Sequence, residues 1–197
     1  MARLKKIIFF TFIAYFIYLC IIYFLVYQSS KNIVDNYNNE LLRVKIYGST
    51  TTKDSNTISG TFSIVDSNSN EIAKIERSWS GSYLAVEFIY LHLNDKLFIF
   101  PNSIYGKNHI YEKKKKMHGT SLEKYYIEQQ QCLLLGYESS FQERYSLYIL
   151  STYANGYFCV PKIFKCHYYS VDLSNCKNEK HYSICRNNNG DLYVKEF

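Results

Sequence analysis

Two residue pairs in this chain have a spacing that could support acyl transfer, and neither has the partners that chemistry needs. Ser121 and Lys124 stand three apart where the sequence marks a helix start. At that spacing a lysine amine can take the proton of a serine nucleophile. Ser174 and Lys177 repeat the spacing, and no Lys-Thr-Gly or Ser-Asp-Asn segment accompanies either pair. The reading is a serine near a helix N-cap beside a solvated lysine. Glu87 lies in the most apolar strand-like run; buried there it would be the best acid in the chain, because desolvation raises a carboxyl's pKa. The histidines His92, His109, His118, His167 and His181 are dispersed, and His92 reads as a packed sheet residue. The chain has no Gly-x-Ser-x-Gly elbow, phosphate loop, dinucleotide fingerprint or His-Glu-x-x-His pair. No catalytic, cofactor-binding or metal-ligating residue is assigned, and no cofactor is expected.

The cysteines carry a clearer signal. Cys159, Cys166, Cys176 and Cys185 fall within 27 residues. In an oxidising compartment they would form two disulfides, each worth about 2–4 kcal/mol by restricting the unfolded chain. The connectivity stays open, with a lean to Cys176–Cys185, which could flank one short loop. Structural zinc sites place paired cysteines two to four residues apart. Here six, nine and eight residues separate successive cysteines, which argues against a zinc site on Cys176, His181 and Cys185 with Cys166 and His167 nearby. Cys132, set among leucines, reads as a buried free thiol.

Two features could meet a partner. Aromatic residues are 18% of the chain; most must fill a core, but some could stack on sugars or line an interface. Trp79, the single tryptophan, sits in a Ser-Gly turn and is the first such candidate. The run Lys113, Lys114, Lys115 and Lys116, with Lys107, His109 and His118 near it, could touch anionic headgroups or an acidic polymer at about 1 kcal/mol per lysine. The net charge of +6 is not a nucleic-acid signature. Arg3, Lys5, Lys6 and the lysine run account for all of it, whereas a nucleic-acid reader needs cations spread over a face.

These residues are positioned by an organisation that begins with residues 7–27, which contain no charge, Gly or Pro. As a helix rising about 1.5 Å per residue this run covers roughly 30 Å, a bilayer's hydrocarbon thickness. Arg3, Lys5 and Lys6 precede it, while only Lys31 and Arg43 are basic in the next sixteen residues. That asymmetry predicts a cytoplasmic tip (1–6) and an exported body. The run is longer than a signal peptide's apolar region, and no small-x-small site closes it, so it reads as an uncleaved anchor. No Gly-x-x-x-Gly pattern supports pairing of two anchors. A polar tether (28–42) then leads to one domain (43–197), a size that buries a real core.

Within the domain, residues 57–65 and 71–77 alternate with period two across a Ser-Asn turn and predict a hairpin. Residues 83–94 are the strongest strand, returned through Asn94-Asp95-Lys96 into 97–100. Residues 44–100 thus predict an antiparallel meander. Thr120-x-x-Glu123 and Ser140-x-x-Glu143 are capping-box patterns that predict two helices, closed by Gly136 and Gly156. Residues 129–136 could instead be a strand. The tail predicts a closing, Cys-rich hairpin through Asn187–Gly190. The fold class is α+β, an antiparallel sheet with two helices inserted before its last strands.

Gly119-Thr120-Ser121-Leu122 and Gln131-Cys132-Leu133-Leu134-Leu135-Gly136 resemble segments of signal-anchored membrane proteins of spirochaetes, the likeness covering residues 58–156. It implies an anchored, bacterial protein and carries no activity or catalytic residue. The absence of any Asn-x-Ser/Thr sequon among sixteen asparagines points the same way. The expectation is a single-pass ectodomain for binding, scaffolding or envelope assembly, its partners the bilayer and another envelope protein or anionic polymer. The alternative is a tethered hydrolase acting on envelope glycan or peptide, which would need Glu87, His92 or Ser121 with Lys124 in one cleft.

Overall fold

A computed structural model describes residues 2–33, 39–51, 56–109 and 119–197, with side chains from Lys6 onward. Its order is α1 (Ala2–Asn32), β1 (Glu40–Thr51), β2 (Asn56–Val65), β3 (Glu71–Ser80), β4 (Tyr83–Leu93), β5 (Lys96–Lys107) and β6 (Thr120–Ser121). There follow β7 (Ile127–Glu128), β8 (Gln131–Cys132), α2 (Phe141–Asn155), β9 (Lys165–Asp172), β10 (His181–Arg186) and β11 (Leu192–Glu196). The class is α+β.

The strands form two principal antiparallel sheets rather than one meander. The larger has the order β11-β10-β1-β2-β3 and the smaller β6-β5-β4-β9. The chain changes sheet at Ser80-Gly81-Ser82. Gly81, at φ +136°, sits against the Lys107 backbone, and a Cβ on Gly106 would collide with the Ser80 carbonyl oxygen. Only glycines let two backbones approach so closely at the corner. Beyond it the predicted hairpins hold: β2 pairs with β3, and β4 turns into β5 through Asn94 and Asp95, both at positive φ, as a two-residue hairpin requires.

Strand β4 is the axis of the core and is buried from Leu84 through Leu91. Alternation sends Leu84, Val86, Phe88 and Tyr90 toward the larger sheet, where the Tyr90 hydroxyl donates to Gly190 O. Ala85, Glu87, Ile89 and Leu91 face the opposite way. Helix α2 packs on β4 and also against α1, and most of its residues from Ser146 to Ala154 are buried. A helix covered on both sides is buried around most of its circumference.

Helix α2 forms as its sequence predicts. Glu143 N donates to Ser140 Oγ at 3.2 Å, Ser140 N donates back to the Glu143 carboxylate at 2.9 Å, and Gly156 closes the helix at φ +85°. Ser140→Ala should cost about 1 kcal/mol in denaturant unfolding, with Ser140→Gly costing less.

The first predicted helix does not form. Thr120 belongs to β6, Glu123–Tyr125 and Leu133–Leu135 are single 3-10 turns, and β7 and β8 make a small hairpin. Gln129 and Gln130, both at positive φ, form its turn and cannot continue a helix. The Thr120 hydroxyl that would have capped it accepts instead from the Trp79 indole. Burial of Leu122, Tyr126, Cys132 and Leu134 decides the conformation over the local signal.

The amino-terminal apolar helix also runs past its expected end. α1 continues to Asn32 and β1 starts at Glu40, so residues 28–32 and 40–42 of the expected tether belong to α1 and β1. Ile22, Val26, Ser29, Ser30 and Ile33 form one buried stripe along α1. Asn94 Nδ2 donates to Ser30 Oγ at 2.5 Å, Lys96 Nζ to Ile33 O at 2.7 Å, and Asn32 Nδ2 to Ser146 Oγ at 3.2 Å. The domain is seated on the helix.

Candidate functional site

The outer face of the larger sheet carries a recess. Alternation along β1 sends Leu42, Val44 and Ile46 inward and Arg43, Lys45 and Tyr47 outward. The register then aligns His181, Lys45 and Thr61 in one cross-strand row, and Ser183, Arg43, Ser63 and Lys74 in the next. These rows line a groove of about 310 Å³ with Phe197 at its side. The Tyr47 hydroxyl lies 2.5 Å from Thr61 Oγ1, and the His181 ring sits 5.9 Å from that of Phe197.

Charge in the groove is uneven. The Arg43 guanidinium holds the Glu40 carboxylate at 2.8 and 3.1 Å and also donates to Ser69 O. Burial alone would raise the Glu40 carboxyl, but hydrogen bonds from Arg43 and Ser183 outweigh it and hold Glu40 below the usual range. Arg43 is thereby committed to structure. Lys45 and Lys74 are the cationic groups lining the recess that could meet a ligand, with the His181 imidazole beside them and Glu71 as its acidic wall. Such a surface can bind an anionic or hydroxyl-rich molecule.

The smaller sheet carries a second polar row on its outer face: Ser170, Glu87, Ser103 and Ser121, in register across β9, β4, β5 and β6. Glu87 is buried and accepts from Asn102 Nδ2 at 2.5 Å. Beside the row, Lys107 pairs with Asp172 at 2.9 Å, and the Tyr105 hydroxyl donates to Ser170 Oγ at 3.1 Å. His92, five residues from Glu87 on the same strand, points to the opposite face, where its ring stacks on His167 at 5.5 Å. Lys124 lies over the Tyr125 ring. Alternation thus separates His92 from the row that holds Glu87 and Ser121.

The His92 pair has a consequence for stability. Burial first, then the His167 and Lys165 charges, lower the His92 pKa below 6.5. The unfolded chain therefore takes up a proton before the folded one. This contribution to stability is full above about pH 6.5 and is lost as the pH falls through the folded value. His92→Gln should flatten the fall in unfolding midpoint between neutral and mildly acidic pH.

Trp79 is not an exposed contact residue. It is 7% exposed, its ring meets Phe62 edge-on at 5.3 Å, and its Nε1 donates to Thr120 Oγ1 at 3.0 Å. It bridges the two sheets because β3 runs straight through the expected turn. Lys113, Lys114, Lys115 and Lys116 lie outside the described residues.

The expected disulfides are absent: Cys159, Cys166, Cys176 and Cys185 are all free. The physical reason is their distribution over different elements. Cys159 follows α2, Cys166 lies on β9 of the smaller sheet, Cys176 precedes β10, and Cys185 lies on β10 of the larger sheet. The closing hairpin β10–β11 forms, with Cys185 as its one cysteine. Burial pushes the Cys176 thiol up to about 11 and that of Cys132, fully buried as expected, up to about 12. Among the described residues no group of three or more His, Cys, Asp and Glu side chains could hold a metal ion.

Sequence reasoning missed the segment after α2. Tyr157 and Ile163 are more than half exposed, and Phe158, Val160 and Phe164 pack against the core. The Tyr18 and Tyr23 hydroxyls of α1 donate to Phe158 O at 2.6 Å and Pro161 O at 2.8 Å. Its signal was compositional: residues 156–171 hold no acidic residue. Comparison with family models, with curated proteins and with solved structures gives no match.

Proposed function

We propose that this chain is a single-pass membrane protein whose α1 crosses the bilayer, with residues 1–6 in the cytoplasm and the domain outside. There the domain serves binding, scaffolding or envelope assembly. One observation carries the reading. Residues Lys6–Asn32 form a helix long and apolar enough to cross a membrane, and Phe9, Phe10, Phe12, Phe16 and Phe24 on it are each about 60–70% exposed. Five phenylalanines on one rod are untenable in water and suit hydrocarbon as the surrounding solvent.

The domain sits directly on the helix end, so it works close to the membrane surface instead of at the tip of a stalk. The groove along Lys45, Lys74 and His181 supports recognition of an anionic or hydroxyl-rich envelope component. The test is extraction of the full chain from membranes at alkaline pH. The protein should stay in the pellet and be released by detergent; recovery in the alkaline supernatant would contradict a membrane-spanning α1.

A further inference from the structure

We infer that the segment Tyr157–Phe164 is a second membrane contact, set into the bilayer leaflet on the domain's side, its Pro161–Phe164 end near the headgroups and its Phe158 end deeper among the acyl chains. The inference rests on the reading of α1 as a membrane span and adds a surface to it. The reasoning is one of lengths. Every residue from Lys6 to Tyr18 is exposed, and the domain is already bonded to α1 at Tyr18. The stretch from Ile7 to Ile17 rises only about 16 Å, against roughly 30 Å of hydrocarbon. A helix that spans the bilayer while keeping these contacts must draw the attached segment below the surface. With the span starting at Ile7 and the helix upright, Pro161 O, held by Tyr23, lies about 6 Å under the outer boundary and Phe158 O, held by Tyr18, about 13 Å. Tilt only sinks them further. Interfacial elements bury about 5–10 Å; the Pro161 end of the segment lies in that range, and the Phe158 end reaches deeper, toward the middle of the bilayer.

The chemistry of the segment suits that depth. Backbone carbonyls in hydrocarbon must find a protein partner, and the two tyrosine hydroxyls supply one each to Phe158 and Pro161. Tyr157 is 63% exposed, Ile163 61% and Tyr168 54%, giving rings and an aliphatic chain of the kind that anchor at the lipid–water boundary. Lys162 donates to Ala154 O at the end of α2 and lies over the Tyr168 ring, 5.7 Å from its centroid; Lys165 follows, and its side chain can reach up to phosphate while its stem stays in the acyl layer. The nearby carboxylate, Glu123, is covered by the Tyr157 hydroxyl at 2.7 Å and the Asn155 amide at 3.2 Å.

The experiment uses the full chain reconstituted in phosphatidylcholine vesicles, with tryptophan emission quenched by lipids brominated on their acyl chains. The unmodified chain, whose Trp79 is buried between the sheets, gives the baseline. Two exposed positions receive a tryptophan: Phe12→Trp in the span and Ile163→Trp in the segment. Expected is loss of about half the added emission in both, with Phe12→Trp quenched best by bromine midway along the chain and Ile163→Trp by bromine near the headgroup. Quenching of Phe12→Trp while Ile163→Trp keeps its emission and is quenched by aqueous iodide overturns the second contact and leaves the anchor standing. Absence of quenching in Phe12→Trp overturns the anchor itself, and the second contact with it.

Discussion

Trp79→Ala is expected to destabilise the domain by about 3–5 kcal/mol, the range for removing a large aromatic side chain from a packed core. The indole fills the space between the sheets at Phe62, and its N–H is a partner of the Thr120 hydroxyl. The alanine variant loses both, and the β6 segment that held Thr120 beside β3 loosens with it. Trp79→Phe keeps most of the ring packing and drops one hydrogen bond, so it should cost nearer 1–2 kcal/mol. Urea unfolding in detergent micelles, followed by far-ultraviolet circular dichroism, measures both. A change within about 0.5 kcal/mol for the alanine variant is what a surface residue would give, and it would return Trp79 to the list of partner contacts.

The second large effect belongs to the seam between α1 and the domain. Val26 is fully buried, between Ile22 and Ile33 on the α1 stripe. Val26→Asp places a carboxylate in the buried apolar seam, at a cost upward of about 3 kcal/mol if the seam stays closed. Opening the seam relieves that cost, so the expected result is a domain that keeps its fold and lets go of the helix. Hydrogen exchange at Ser29, Ser30 and Ile33 should then speed up by a hundredfold or so, the equivalent of about 3 kcal/mol. The signal from α2 should persist. Unchanged exchange in a properly folded variant would mean that α1 is not held by this stripe.

Local signals in the sequence were readable where the chain obeys local physics. The Ser140–Glu143 box and Gly156 define α2 by themselves, because their partners lie within one turn. The β2–β3 and β4–β5 hairpins follow from alternation and short turns. The split into two sheets was hidden, since it depends on the approach of Gly106 to Ser80. The same holds for Thr120-x-x-Glu123, where an indole 41 residues away takes the capping hydroxyl. Residues 28–33 read as tether from composition, yet Ser29 and Ser30 are buried. Cysteine spacing said nothing about which sheet each thiol would join. In the candidate groove, Lys45, Lys74 and His181 come from three strands and meet only through register.

The most direct test of the whole account is topological. Asn188 lies in the exposed turn between β10 and β11, so Asn188→Cys adds a thiol on the domain surface. Intact cells treated with a membrane-impermeant maleimide should label this variant well above the unmodified chain. Labelling that appears only after the cells are broken open would place the domain in the cytoplasm and contradict the account.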